Sequence, residues 1–264
     1  MHTNAVPLDT YSLCSTLTAS SKVKDLDFGK QIHAHVAKSG WASSVFLGSA
    51  LIDLYSKLSN VRDATLVFDE IPEKNTVDVV LWTSMLGVYG RNGHSKEVID
   101  LYNEMLVEGI RPDGIAFLTV ISACGRTGQV QEGVKYFESM ANEFKLDPGP
   151  EHYSCLVDLL CRAGELKKAW ELLNKTLKKG MGKGSVSMWG ALLSACVDRG
   201  DIELGKLAAE RALELDPQNV GICIMLSNLY ARFGMWEEIG HLRVLINASG
   251  LRKDVGCSWV QVTS

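Results

Sequence analysis

The chain has 264 residues, of which 46% are hydrophobic and 22% are charged, and its formal net charge is −4. This composition is typical of an ordinary globular protein and excludes a disordered or collagen-like chain. Residues 1–150 carry 13 Lys and Arg against 18 Asp and Glu. This negative net charge is the opposite of what a protein that binds phosphates regardless of sequence requires. Binding to a nucleic acid would therefore have to rest on contacts with bases.

Further classes are excluded by missing segments and motifs. The sequence has no run of 18 apolar residues, so no transmembrane helix is predicted. Its first residues form neither a secretory signal nor an Arg-rich transit peptide. Seven cysteines without a secretory signal indicate reduced thiols, and neither C-x-x-C nor H-E-x-x-H occurs. His33 and His35 point to different helix faces. We therefore expect no metal and no cofactor.

Taken in order, the chain divides into helix-turn-helix units, with an insertion at residues 76–78 before the third. In the first unit, helices are predicted near residues 11–20 and 26–38, and the fourth unit is closed by Asp147-Pro-Gly-Pro. A segment 1–9 precedes the units and a tail 262–264 follows them. The units span residues 10–44, 45–75, 79–113, 114–149, 150–184, 185–219 and 220–261.

The unit at 79–113 shows the pattern most clearly. Each of its halves spaces large apolar residues at i, i+3, i+4 and i+7, which is one face of an amphipathic helix. The turn Asn92-Gly93 separates the halves, Ser95 is the predicted N-cap of the second, and Gly109 is its stop signal. The apolar residues are Trp82, Met85, Leu86 and Tyr89 in the first half, and Val98, Leu101, Tyr102 and Met105 in the second.

The turn of this unit recurs along the chain at intervals of 34 to 36 residues. The residue five positions after each turn is small in most units, which would let the helices approach closely. Short helices cannot bury an apolar face alone, so this period predicts an α-solenoid of stacked repeats. The turn positions are Lys24, Ser59, Gly93, Gly128, Gly164, Gly200 and Gly234. The positions five residues later are Gly29, Ala64, Val98, Gly133, Ala169, Gly205 and Ile239.

Ordered phrases along the chain carry a family resemblance. GKQIHAHVAKSG, ALIDLY, VFDEIP, LWTSMLGVYGRNG, GIRPD, VISAC and EHYSCLVDLLCRAG occur in units that alternate in length. The chain resembles plant pentatricopeptide repeat proteins of the mixed-length class, and residues 185–261 resemble the two extension motifs of their E subclass. The resemblance implies an all-α, right-handed α-solenoid of about seven repeats. Trp189-Gly and Leu215-Asp-Pro also indicate tetratricopeptide-like units in residues 185–261, a type that more often binds protein.

The resemblance further implies that the fifth and the last residue of a repeat read one base. In the central unit these are Thr83 and Asp113, the family's combination for guanine, because Asp can accept from guanine N1–H and N2–H₂. Val80 and Ile115 would sandwich that base. The residues alone also allow a structural role, with the Thr83 hydroxyl bonded back to its own helix and Asp113 as a turn residue or helix cap.

The preceding short unit offers Ser49 with Asn75, the adenine-type pair, between Phe46 and Val80. The insertion at 76–78 leaves Asp78 as the alternative last residue, which would favour guanine. The Ser49 hydroxyl also allows a purely local bond.

The long units offer no coding pair and are expected to act as spacers. Their fifth and last residues are Cys14 with Ser44, and Leu118 with Gly149. Two readable bases give little specificity at roughly 1–3 kcal/mol per base. We therefore expect further repeats upstream in a longer protein.

A zinc deaminase requires H-x-E followed by P-C-x-x-C, and the chain has neither, so we do not expect an enzyme. The resemblance implies an adaptor that binds single-stranded organellar RNA for cytidine-to-uridine editing. It would work with a deaminase-domain pentatricopeptide protein in trans and with organellar editing accessory factors, and without a membrane. The expected location is a mitochondrion or a chloroplast, with the mitochondrion favoured. The alternatives are a tetratricopeptide-like protein scaffold and a factor for organellar RNA splicing or stability.

Overall fold

The computed structural model describes residues 9–41, 44–71, 79–178 and 186–248. Within these ranges every regular element is an α-helix, and six pairs of consecutive helices pack together, namely α1/α2, α3/α4, α5/α6, α7/α8, α11/α12 and α13/α14. The prediction of an all-α solenoid of helix-turn-helix repeats is therefore confirmed. The chain divides into two compact parts, Met1–His152 and Tyr153–Ser264. From here on we call these parts the first unit and the second unit, and we call each pair of consecutive helices a repeat. None of the described helices is long and apolar enough to cross a membrane.

In the first unit, the odd-numbered helices are the first helices of the repeats and the even-numbered ones are the second. Each first helix packs on the preceding first helix and on its own second helix. The unit contains α1 (Thr10–Val23), α2 (Leu26–Lys38), α3 (Val45–Lys57), α4 (Val61–Glu70), α5 (Val79–Arg91), α6 (Ser95–Val107), α7 (Gly114–Thr127), α8 (Val130–Asn142) and the first three residues of α9 (Pro150–Ala163).

The second unit follows the same alternation. Helix α11 packs on α12 and α13, and α13 packs on α14. Trp170 and Trp189 meet edge to face, with ring centroids 5.1 Å apart, and Trp189 is fully buried. Besides the rest of α9, the unit contains α10 (Leu166–Lys178), α11 (Val186–Arg199), α12 (Ile202–Leu215), α13 (Val220–Arg232) and α14 (Trp236–Ala248).

The apolar faces predicted for residues 79–113 form the core of the central repeat. Trp82 and Tyr102 are fully buried, and the Trp82 ring meets Phe68 of α4 edge to face at 5.2 Å. Tyr89 is half-buried, and its hydroxyl lies 3.4 Å from the Thr65 hydroxyl. Since helices of 10 to 14 residues are marginal alone, these contacts with neighbouring helices supply most of their stability.

All seven predicted turn positions adopt the left-handed backbone conformation. Five are glycine, but Lys24 (φ 60°) and Ser59 (φ 54°) carry side chains there. A residue with a Cβ in this conformation costs about 1–2 kcal/mol relative to its usual conformations. The repeat register predicted from the sequence is thus confirmed at its turns, including the two positions without glycine.

The small residues five positions after the turns permit close helix contact where the residue is glycine. A Cβ placed on Gly29 would lie 2.6 Å from Cδ2 of Leu54, and one on Gly205 would lie 2.3 Å from Cδ2 of Leu229. A side chain at either position would force a fully buried leucine to shift. The predicted close approach is confirmed at these two positions.

The predicted capping role of Ser95 is wrong. Helix α6 begins at Ser95, and His94 occupies the N-cap position without a side-chain cap bond. Ser95 is buried, with its backbone N–H on the Gly93 carbonyl at 2.9 Å. The short turn after Gly93 therefore places Ser95 inside the first helical turn, where its hydroxyl cannot cap.

We expect Ser59→Gly to raise the free energy of unfolding by about 1 kcal/mol, because glycine removes the Cβ clash of the left-handed conformation. Chemical denaturation followed by circular dichroism measures this. Ser39→Gly is the matched control, since Ser39 has φ −86° and the same change should lower stability by about 0.5–1 kcal/mol. Equal effects of the two changes would contradict the argument.

Candidate nucleic-acid interface

The second residue of each of the first helices α1, α3, α5 and α7 is a large, exposed apolar side chain. Tyr11 is 73% exposed, Phe46 54%, Val80 50% and Ile115 60%. We call these four residues the apolar row. Exposed apolar groups that recur at one register position indicate a binding surface, whereas singly scattered ones do not.

Three members of the apolar row, Phe46, Val80 and Ile115, were selected from the sequence, and Tyr11 was missed. Its ring lies edge to face with that of Phe46, at 5.8 Å between centroids and 60° between planes. Tyr11 could have been found from its position two residues after Asp9, which caps α1. The two rings extend the apolar surface to the first described repeat.

Thr83, the fifth residue of α5, is 8% exposed. Its hydroxyl lies 3.1 Å from the carbonyl oxygens of both Val79 and Val80, which is the local back-bonding that the sequence also allowed. The hydroxyl proton is therefore engaged by the helix, while the oxygen lone pairs can still accept. This bond also fixes the side-chain rotamer, so Thr83 presents a fixed acceptor beside Val80.

Ser49 holds the equivalent place in α3 and is half-buried. Within the described ranges its hydroxyl makes no hydrogen bond, so it can both donate and accept. Its proposed partners, Asn75 or Asp78, lie outside the described residues. Ser49 is thus the described half of that pair.

Asp113 is the N-cap of α7. Its Oδ1 accepts from the backbone N–H of Ala116 at 2.9 Å, with an extended backbone (φ −99°, ψ −179°). The cap employs one carboxylate oxygen, and Oδ2 has no partner among the described residues. A carboxylate accepts through both oxygens, so capping leaves an acceptor at the half-buried start of α7.

The residue before other first helices is also an N-cap with an acceptor side chain. Asp9 caps α1 by accepting from Ser12 at 2.8 Å, Ser44 caps α3, and Asn219 caps α13. The bonds from Ser12 hold the pKa of the Asp9 carboxyl below its usual value. Capping therefore favours small polar side chains, ionised in the case of Asp9, at the position that would meet a base.

Neither long repeat has a hydroxyl or carboxylate side chain at both of these positions. Cys14, the fifth residue of α1, lies with its Sγ 3.9 Å from the Phe46 carbonyl, and burial raises the pKa of its thiol. Gly149 offers only its backbone N–H, which donates to Nδ1 of His152 at 3.1 Å, while Nε2 of His152 lies 2.8 Å from the Gly114 carbonyl. An imidazole bridging two backbone groups therefore stands where another repeat has a side-chain acceptor.

A row of cations, also missed from the sequence, marks the other end of these helices. The thirteenth residues of α1, α3, α5 and α7 are Lys22, Lys57, Arg91 and Arg126, and all are exposed. Residues 2 and 13 of a helix lie on nearly one face, about 16 Å apart along its axis. Lys57 pairs with Asp53 of its own helix at 2.6 Å. The positive charge of this face therefore rests on Lys22, Arg91 and Arg126, although the protein is acidic in total.

The arginines of this row also join successive repeats. Arg91 donates to the Ser56 hydroxyl through Nε at 2.9 Å and through a terminal nitrogen at 2.6 Å. Arg126 donates to the Gly90 carbonyl at 2.8 Å. Each guanidinium has five N–H groups, so these bonds leave donors for a further anion. A regular row could have been detected from the basic residue one or two places before each turn.

The histidines raised in the sequence have separate partners. His33 Nδ1 lies 2.8 Å from the Tyr55 hydroxyl, and burial lowers the pKa of His33. His35 Nε2 lies 3.4 Å from the Ser39 hydroxyl. Among the residues that the structure describes, no three His, Cys, Asp or Glu side chains are grouped to hold a metal ion.

Comparison with known families identifies two kinds of repeat. Pentatricopeptide repeat families match residues 49–76, 77–126, 115–143 and 145–175, and the E motif family matches residues 199–261. The Arabidopsis thaliana pentatricopeptide repeat-containing protein At2g13600 is 40% identical over 258 residues, covering 96% of this chain and 36% of its own length. The chloroplastic protein DOT4 of the same plant is 36% identical over 255 residues, covering 96% of this chain and 28% of its own length. The chain thus spans about a third of the length of the curated relatives.

Solved structures agree in fold. The maize pentatricopeptide repeat protein PPR10 superposes with a TM-score of 0.58 at 19% identity, over 92% of this chain and 40% of that chain. PPR10 in complex with an 18-nt psaJ RNA element gives 0.60 at 16% identity, over 92% and 41%. At these identities the likeness concerns the fold.

Asp113→Ala should lower the free energy of unfolding by about 1 kcal/mol, because the first turn of α7 loses its cap. Asp113→Ser keeps a capping oxygen and should change stability by less than about 0.5 kcal/mol. Thermal and urea denaturation of the two variants measure the difference. A stable Ala variant would show that the cap contributes nothing.

Proposed function

This chain belongs to the pentatricopeptide repeat family and carries the E motif, and from that premise we propose that it is a sequence-specific adaptor for single-stranded RNA in organellar cytidine-to-uridine editing. In this proposal the repeats select the site. The C-terminal motifs recruit a deaminase-domain pentatricopeptide protein in trans, together with organellar accessory factors.

The observation that carries the RNA role is the apolar row beside capping acceptors. Bases stack on apolar and aromatic side chains without regard to identity, and polar groups at their edges add selectivity. Val80 and Ile115 lie at the starts of successive first helices. In this proposal they would flank a base that meets the acceptors of Thr83 and Asp113. PPR10, of the same fold, was solved in complex with RNA.

The chemistry at this place favours guanine. Oδ2 of Asp113 can accept from N1–H or N2–H₂, and those donors are absent from the Watson–Crick edges of adenine and uracil in this combination. Ser49, between Phe46 and Val80, would meet the neighbouring base. The repeats 10–44 and 114–149 would act as spacers that contact the RNA without recognising a particular base.

Phosphates would meet the cation row. Lys22, Lys57, Arg91 and Arg126 stand on the face of the apolar row, so bases and backbone could be held by the same helices. This local charge answers the objection raised by the acidic total, because phosphate contacts are short-ranged at physiological salt.

We propose that the protein acts in a plant organelle, since the relatives are plant proteins and one is named as chloroplastic. The preference for the mitochondrion stays a prediction from the sequence. The domain limits, with five pentatricopeptide repeats in residues 10–184 and two E motifs in residues 185–261, belong to the same proposal.

The second candidate function is a protein scaffold. The acidic charge and the tetratricopeptide-like signature around Trp189 favour it. It predicts no RNA selectivity, so the two candidates separate in one binding experiment.

In the longest natural form of the protein, Thr83→Asn should change the preferred base at one position from guanine toward uracil. Selection from a randomised single-stranded RNA pool at near-physiological salt, followed by sequencing, measures this. Thr119→Asn is the matched control, because the Thr119 hydroxyl also bonds back to its helix, at 2.7 Å from the Ile115 carbonyl, but stands sixth in α7. Unchanged preference in Thr83→Asn would refute the assignment, and enrichment of no motif by the unaltered protein would favour the scaffold.

For the docking role, Glu203→Lys and Arg211→Glu on α12 should weaken binding of a purified deaminase-domain pentatricopeptide protein while RNA affinity stays unchanged. Both residues are exposed, and Arg211 pairs with Glu214 at 2.8 Å. Surface plasmon resonance with the partner immobilised measures the loss. Lys38→Glu, at an exposed position of the first unit, is the control, and loss of partner affinity there but not on α12 would contradict the division of labour.

A further inference from the structure

A second cleft lies away from the apolar row, between the second helices α6 and α8. Its volume is about 400 Å³, which is within the range of small ligand pockets. We call it the α6/α8 cleft. Its walls are aromatic and its rim is charged. The walls include Tyr102, Tyr136 and Phe144, and the rim includes Glu132, Lys135, Glu138 and Glu143.

The rim has an excess of negative charge. Glu132, Glu138 and Glu143 face one cation, Lys135, which pairs with Glu132 of its own helix at 2.7 Å. Glu138 and Glu143 are exposed and form no ion pair within the described residues. Two carboxylates thus border the cleft without a partner of opposite charge.

The aromatic wall contains a polar group without a partner. Tyr102 is fully buried, and its hydroxyl has no hydrogen-bond partner among the described residues. Tyr136, whose ring centroid lies 5.1 Å from that of Tyr102, has its own partner in Asn103 Oδ1 at 3.1 Å. Burial, Tyr136 and Glu143 raise the pKa of Tyr102, so the hydroxyl stays neutral. Buried polar groups are normally satisfied, so an exception calls for an explanation.

The corresponding cleft between α2 and α4 provides an internal comparison. There His33, the eighth residue of α2, bonds to the hydroxyl of Tyr55, the eleventh residue of α3, at 2.8 Å. In the downstream pair the eighth residue of α6 is Tyr102, and the eleventh residue of α7 is Cys124. A thiol is a weak hydrogen-bonding group. The register position that satisfies His33 therefore offers Tyr102 no strong partner.

The cation differs between the two clefts as well. Lys30, the fifth residue of α2, pairs across the helices with Asp63, the third residue of α4, at 3.2 Å. The third residue of α8 is again acidic, Glu132, but the fifth residue of α6 is Ile99. The α2/α4 cleft thus receives its cation from the opposite helix, whereas the α6/α8 cleft does not.

We propose that the α6/α8 cleft binds an arginine side chain of a protein partner. A planar guanidinium can lie against the Tyr136 and Phe144 rings, donate to Glu138 and Glu143, and donate to the unpartnered hydroxyl of Tyr102. The rim side chains are exposed and change rotamer within nanoseconds, so they can move aside to admit it. RNA is disfavoured here, because its phosphates would face three carboxylates.

The test uses the whole chain with ¹³C-labelled tyrosine rings, titrated with N-acetyl-arginine amide and followed by NMR. The signals of Tyr102 and Tyr136, assigned from Tyr→Phe variants, should shift together and saturate in the millimolar range. N-acetyl-citrulline amide has the same shape without the charge and should bind about tenfold more weakly. Equal responses to the two compounds, or shifts caused by a single-stranded RNA and not by arginine, would overturn the proposal.

Two variants and a control locate the site. Glu138→Gln/Glu143→Gln should weaken arginine binding on the order of tenfold, because two charge-assisted contacts are lost. Tyr102→Phe should weaken it severalfold without lowering the melting temperature, since it removes only a hydroxyl that has no partner. Glu104→Gln/Glu108→Gln changes two exposed carboxylates of α6 and its C-cap outside the cleft and should leave binding unchanged. If this control weakens binding as much as the cleft variant does, the response reflects general charge and the proposal fails.

Discussion

The structure depends on the inability of a 10- to 14-residue helix to bury an apolar face alone. Each first helix covers part of the preceding one, and the fully buried Trp82, Tyr102 and Phe117 occupy positions that only neighbouring helices can close. Close stacking requires a tight reversal in each repeat, which explains the left-handed residue at every turn. It also favours glycine at Gly29 and Gly205, where a Cβ would press on a buried leucine. The same stacking places equivalent positions of successive helices side by side, so that the side chains at one position form a row.

The residue before a first helix can have two roles, because its side chain can cap the helix and can also face a bound base. A first helix needs an acceptor at its N-cap, which favours Asp, Ser or Asn there, as at Asp9, Ser44 and Asp113. Asp113 employs only Oδ1 for the cap, and the second oxygen remains for another donor. Under the proposed function, selection for a stable helix start and selection for base recognition would therefore act on the same side chain without competing. In the long repeat, Gly149 has no side chain that could cap the helix or meet a base. The His152 ring instead contacts the Gly149 N–H and the Gly114 carbonyl.

The sequence predicted the helices, the turns and much of the core, because these follow from periodicity. Lys24 and Ser59 were assigned to turns only because their register matched that of the glycines. Ser95 was misassigned as a cap because a one-residue shift in a short turn leaves the apolar pattern unchanged. Phe46, Val80 and Ile115 were selected through the family resemblance, and Tyr11, which has the same register position, could have been selected by counting from Asp9. The back-bonded state of Thr83 and the unpartnered hydroxyl of Tyr102 depend on three-dimensional contacts that spacing does not specify.

The central claim, that the first helices read single-stranded RNA one base per polar pair, is tested most directly by the structure of the longest natural form bound to an RNA selected by it. We predict a guanine between Val80 and Ile115, with its N1–H or N2–H₂ donating to Oδ2 of Asp113 while Oδ1 retains the Ala116 N–H. The cation row would lie along the phosphates. RNA bound along the second helices, or an Asp113 that meets no base, would contradict the account.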